Sequence, residues 1–121
     1  MFGGDLKRLD DELKELNTQA TKFGQDYSRL VYPARVYVDV VKHYLAARIS
    51  ELREENSKLS EAKLENLARA DKVYKDNLER VIQKNIESEA ARIKYESAVR
   101  EVESCRTRIS LYKSEIERFG G

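Results

Sequence analysis

An all-α fold, a helical bundle or antiparallel coiled coil, is what this sequence predicts, and three observations carry it. Apolar residues from Leu6 to Leu30 recur at steps of three and four, no Gly or Pro interrupts the 86 residues between Pro33 and Gly120, and charged residues reach 37% with 23 Lys and Arg against 22 Asp and Glu. Steps of three and four put side chains on one helix face. The missing breakers deny the chain the turns that a sheet requires, and balanced charge suits helix surfaces laced by ion pairs. Together they predict one all-helical domain over 1–121: a first helix over about 5–30, a corner at Pro33, and one very long or once-broken helix over about 34–119.

The first helix follows from its ends and its face. Residues 1–4 are expected to fray, with Asp5 as N-cap and Asp10, Asp11 and Glu12 near the positive end of the helix dipole. Leu6, Leu9, Leu13, Leu16, Ala20, Phe23, Tyr27 and Leu30 form an unbroken heptad seam. Gly24 sits inside that seam and weakens a helix by about 1 kcal/mol relative to Ala. The helix therefore either ends near Phe23 with Gly24 as its C′ residue or continues with a soft spot to Leu30. Pro33 disfavours helical geometry at Tyr32 and suits the first turn of a new helix, which predicts the corner at 31–34.

Residues 30–47 hold the densest apolar and aromatic stretch. Val36, Val38 and Val40 alternate as in a strand, whereas Tyr37, Val41, Tyr44 and Leu45 follow helical spacing. No second β-rich run is present to pair a strand's amides, so the helix is expected. Its apolar residues cover most of its circumference, and such a helix needs neighbours on more than one side. Residues 36–49 are thus the expected hub of a bundle or of an oligomer.

Beyond the hub, apolar residues continue through Ile49, Leu52, Leu59, Leu67, Ala70, Tyr74, Leu78 and Val81, then Ile82, Ile86, Ala90 and Ile93. Consecutive steps of four drift from a strict seven-residue repeat. Acid-to-base pairs at i,i+4, such as Glu65–Arg69, Asp71–Lys75 and Glu96–Arg100, are expected on the outer face, each contributing a few tenths of a kcal/mol. The candidate break is 54–61, where Asn56, Ser57 and Ser60 favour turns and caps. A turn there makes a bundle; without one, the segment is a rod. The last seam is Ala91, Tyr95, Ala98, Val102, Cys105, Ile109, Tyr112, Ile116 and Phe119, with Lys113, Arg118 and Gly120 suited to a helix C-terminus. Its lack of Leu points to an asymmetric neighbour, and the leucine-rich 6–30 seam is the expected one, within one chain or between two.

Composition also bounds function. A net charge of +1 gives no bulk basicity for nucleic acid. With one His and one Cys, 62 positions apart, no transition-metal site is expected. Asp39 and His43 share a helix face, but as a structural pair rather than as ligands. Cys105 reads as a small buried hydrophobe, and the paired carboxylates as solvated helix faces. The five glycines, at 3, 4, 24, 120 and 121, make no phosphate loop. No catalytic residues and no cofactor are therefore expected. A single cysteine, no apolar run of membrane-spanning length and no signal-peptide pattern predict an intracellular, cytoplasmic protein.

What remains is contact. The expected activity is that of a non-enzymatic coiled-coil or helical-bundle scaffold that self-associates, with a dimer before other orders, and binds partner proteins. Its contact residues are read as Leu6, Leu9, Leu13, Leu16, Phe23, Val36, Tyr37, Val41, Tyr44, Leu45, Tyr95, Val102, Ile109, Tyr112 and Ile116. The alternative is a membrane-surface module, an elongated dimer that presents Arg35, Lys42 and their neighbours to anionic lipid.

Overall fold

The computed structural model describes residues 2–119. Among them every regular element is helical: α1 Phe2–Glu55, α2 Glu61–Ala70 and α3 Lys72–Phe119. The alternating valines lie in α1, as the need to pair their amides required. Gly120, expected as a C′ cap, lies outside the described residues.

α1 corrects two expectations, the Asp5 cap and the corner at Pro33, and takes one of the two courses open at Gly24. It starts at Phe2, so Asp5 sits in its first turn instead of capping it; the Asp5 carboxylate accepts a hydrogen bond from the Tyr112 hydroxyl at 2.8 Å. Gly24 ends nothing, and the helix runs through it. Pro33 also lies inside the helix, and the corner at 31–34 is absent. Proline removes one rung of the hydrogen-bond ladder and costs about 3 kcal/mol in a helix interior. The offset is continuity of the buried face: Leu30, Ala34, Tyr37, Val41 and Tyr44 extend the 6–30 seam without a change of register, and Ala34 and Val41 are buried. Each large apolar side chain kept on that face contributes about 1.5–3 kcal/mol if fully buried.

Of the two courses open near 55–60, a turn or a continuous rod, the chain takes the turn. α1 ends at Glu55, and the Leu59 amide donates to the Asn56 carbonyl at 3.2 Å. Ser60 caps α2, its hydroxyl accepting from the Lys63 amide at 3.2 Å. Across the turn the Arg53 guanidinium grips both oxygens of Glu61 at 2.8 Å. A second break, at Asp71, separates α2 from α3.

The chain divides into two compact units, one of Met1–Ser28 with Ala90–Gly121 and the other of Arg29–Glu89. In the first, the N-terminal half of α1 packs antiparallel on the C-terminal half of α3: Leu9, Cys105 and Ile109 are buried, with Leu6, Leu13, Leu16 and Tyr112 against them. In the second, Val41, Tyr74 and Val81 form one cluster, and Leu52, Leu64 and Ala68 form another, where α2 covers the end of α1. No helix among the described residues is long and apolar enough to cross a membrane.

Candidate functional site

The expected contact residues go mostly to the chain's own packing. Leu9, Val41, Val102 and Ile109 are buried, and Leu6, Leu13, Leu16, Phe23, Tyr37, Tyr44, Leu45, Tyr95, Tyr112 and Ile116 are half-buried. Val36 alone of the set is exposed, at 39%. The two terminal seams meet each other within one chain. Asp5 bonds Tyr112, the Arg108 guanidinium donates to Glu12 at 2.8 Å, and the Cys105 thiol donates to the Leu9 carbonyl at 3.6 Å. The hydrogen bond to Asp5, then burial, raises the Tyr112 pKa above its ordinary value.

Gly24 has its reason in this packing. A Cβ there would lie 2.9 Å from Tyr95 Cε1, closer than van der Waals contact allows. The absent side chain lets the Tyr95 ring lie against the backbone of α1, where it stacks on Tyr27 with centroids 6.4 Å apart. A glycine in mid-seam is the sequence signal for such an approach.

The densest polar constellation is at Asp71, which caps α3. Its Oδ1 accepts the amides of Val73 at 2.8 Å and Tyr74 at 3.3 Å, and also the Tyr44 hydroxyl at 3.1 Å. Its Oδ2 lies 3.1 Å from Arg48 Nε. Burial pushes this carboxyl up, but the two amides, the Tyr44 hydroxyl and the Arg48 charge outweigh it, and its pKa lies below the usual carboxylate range. Tyr44 moves the other way, raised first by burial and then by its bond to Asp71. The expected helix-surface pair Asp71–Lys75 is thereby corrected: the carboxylate turns inward to join α1 to the first turn of α3. Glu65–Arg69 does form, at 2.8 Å, and Glu96 accepts from Arg92 at 2.9 Å.

What the packing leaves uncovered is informative. On α1, Tyr32, Val36 and Val40 follow at steps of four and are 71%, 39% and 48% exposed. The same side continues through His43, Ala46, Ala47 and Ser50, all exposed. On α3, Ile82 and Ile86 face outward at 52% and 57% exposure, and Leu78 is 39% exposed at the edge of the packed face. The buried residues there are Tyr74, Val81 and Ser88, one heptad apart. That row continues at Tyr95, Val102, Ile109 and Ile116, so following the clean C-terminal seam backwards finds the true face. Choosing the greasiest residues misses it, because the buried row includes a serine.

Between α1, α2 and α3 of the second unit runs an open groove lined by Val38, Val41, Lys42, Leu45, Arg69, Tyr74, Leu78 and Val81. Among the described residues no cluster of three or more His, Cys, Asp or Glu is placed to hold a metal ion. In comparison with known proteins, no family model, no curated protein and no solved structure matches the chain.

Proposed function

We propose that this protein is a non-enzymatic helical scaffold that self-associates and binds partner proteins through apolar helix faces. One observation carries the reading. After the chain has filled its own seams, the 29–89 unit still exposes Tyr32, Val36 and Val40 on α1 and Leu78, Ile82 and Ile86 on α3. Apolar side chains aligned along an exposed helix mark contact surfaces when they are contiguous rather than scattered. The polar groups that converge, Asp71 with Tyr44 and Arg48, are spent on joining helices, which supports a role in contact rather than in chemistry. An alternative, a membrane-surface module, draws on Arg35 and Lys42, both exposed near the same valines.

Sedimentation equilibrium over a wide concentration range, paired with co-sedimentation on neutral and anionic vesicles, tests the reading. Reversible self-association without vesicle binding is the expected result. A strict monomer that pellets with anionic vesicles in a salt-sensitive way replaces the scaffold with the membrane module.

A further inference from the structure

Resting on the scaffold reading, we infer that the outer face of α1 between Tyr32 and Ser50 is the self-association surface, and that its occupant is a second copy of the same face running antiparallel. The face extends about 27 Å at 1.5 Å per residue. Its charged residues are Asp39 within it and Arg35 and Lys42 along its edge, all exposed. Tyr32, Val36, Val40, His43, Ala47 and Ser50 lie along it with Asp39 among them, all exposed.

Two properties of this face select a reversed copy of itself. The first is size. Its bulky residues, Tyr32, Val36 and Val40, lie toward the N-terminal end, and its small ones, Ala46, Ala47 and Ser50, toward the C-terminal end. A twofold axis level with residue 41 brings Val36 opposite Ala46 and Ala47, and Tyr32 opposite Ser50, so large meets small on both sides. Parallel alignment instead stacks Tyr32 on Tyr32 and leaves the alanines facing a gap. The second is polar pairing, an imidazole N–H against a carboxylate. The same axis sets Asp39 level with the second copy's His43, and His43 level with the second copy's Asp39. Such isologous self-complementarity is what a twofold dimer demands. The polar pair within an apolar strip fixes register and orientation, as polar residues in coiled-coil seams do.

The face is short, so the dimer belongs to the weak, reversible class and is followed at concentrations up to about 1 mM. Because these side chains are exposed in the single chain, substitutions in them leave the fold intact, and circular dichroism checks this. Sedimentation equilibrium of Val36→Asp is expected to show at least a tenfold weaker dimer, about 1.4 kcal/mol. His43→Asp sets carboxylates opposite one another and weakens association, while the exchanged variant Asp39→His/His43→Asp restores it. For orientation, Val36→Cys/Ala47→Cys under mild oxidation yields a covalent dimer and Val36→Cys alone does not; residues 36 and 47 of one chain are about 16 Å apart along the helix, too far to bridge. Efficient cross-linking of Val36→Cys alone, or exchange that fails to restore association, overturns the inference. A dimer that survives Val36→Asp but is lost in Ile82→Asp moves the contact to α3 and leaves the scaffold reading standing. A monomer at every concentration removes both.

Discussion

The two units solve the burial of apolar side chains differently. In the unit of Met1–Ser28 and Ala90–Gly121, two helices share one seam, and what each offers the other takes up. Among the described residues, Leu111, Ile93 and Phe119 are the large apolar side chains left exposed there, well separated in sequence, and Phe119 lies under the Arg118 guanidinium at 5.3 Å. The Arg29–Glu89 unit packs three helical segments around two small clusters and one carboxylate, yet exposes Tyr32, Val36, Val40, Leu67, Val73, Leu78, Ile82 and Ile86. A two-helix seam can be closed by one partner. A helix that is apolar nearly all round cannot, and the unfilled side is where a second molecule gains most by binding.

Perturbing each unit at its own centre sharpens this contrast. The largest effect is expected in the second unit. Leu64, 1% exposed beneath the end of α1, is replaced by Ala at a cost of about 3 kcal/mol, because transfer and cavity terms add. Denaturant unfolding checks it, and a loss below about 1 kcal/mol removes α2 from the core.

Asp71→Asn tests the polar node that joins the helices of the same unit. A carboxyl whose folded pKa is below its unfolded value contributes stability at pH values above the unfolded one, and that contribution is lost as pH falls through the folded one. The variant is therefore expected to melt several degrees lower at neutral pH, with the difference shrinking on acidification through the carboxylate range. Tyr44, raised in the fold, adds stability that fades only as pH climbs past its ordinary value of 10.0. A difference in melting temperature that stays constant from neutral to acid pH contradicts the assignment.

The smallest effect is expected in the first unit. Gly24→Ala on an isolated helix gains about 1 kcal/mol; here the new methyl meets the Tyr95 ring. Little or no gain is expected in the native background, and the full gain in a Tyr95→Ala background. A double-mutant cycle by thermal unfolding reads the coupling, and additivity shows that the ring does not rest on Gly24.

How much of this was legible depends on whether a signal was local. The helical class, the terminal seams and the place where a turn could form near 55–60 follow from periodicity and from Asn56, Ser57 and Ser60, because spacing and capping act over a few residues. Pro33 misled for the same reason: its local penalty is visible, while the register linking Leu30 to Ala34 and Tyr37 acts through a distant partner. Asp71 was hidden inside a plausible i,i+4 pair, with no Gly or Pro to mark the break. The division of α1 and α3 into buried and exposed faces was half legible. The hub was found from its apolar circumference, but which half turns inward was decided by α3, where Ser88 takes a core position and Ile82 and Ile86 do not.

The central claim is that α1 has an inner side committed to the fold and an outer side free for contact, and two valines five positions apart test it. Val41 is 7% exposed in the core and Val36 is 39% exposed outside it. Thermal unfolding of Val41→Asp and Val36→Asp, at dilution that prevents association, is the direct measurement. The account predicts that Val41→Asp loses several kcal/mol, because an unpaired carboxylate is buried, while Val36→Asp melts within about 0.5 kcal/mol of the parent. Equal losses in the two, or a larger loss at Val36, would contradict it.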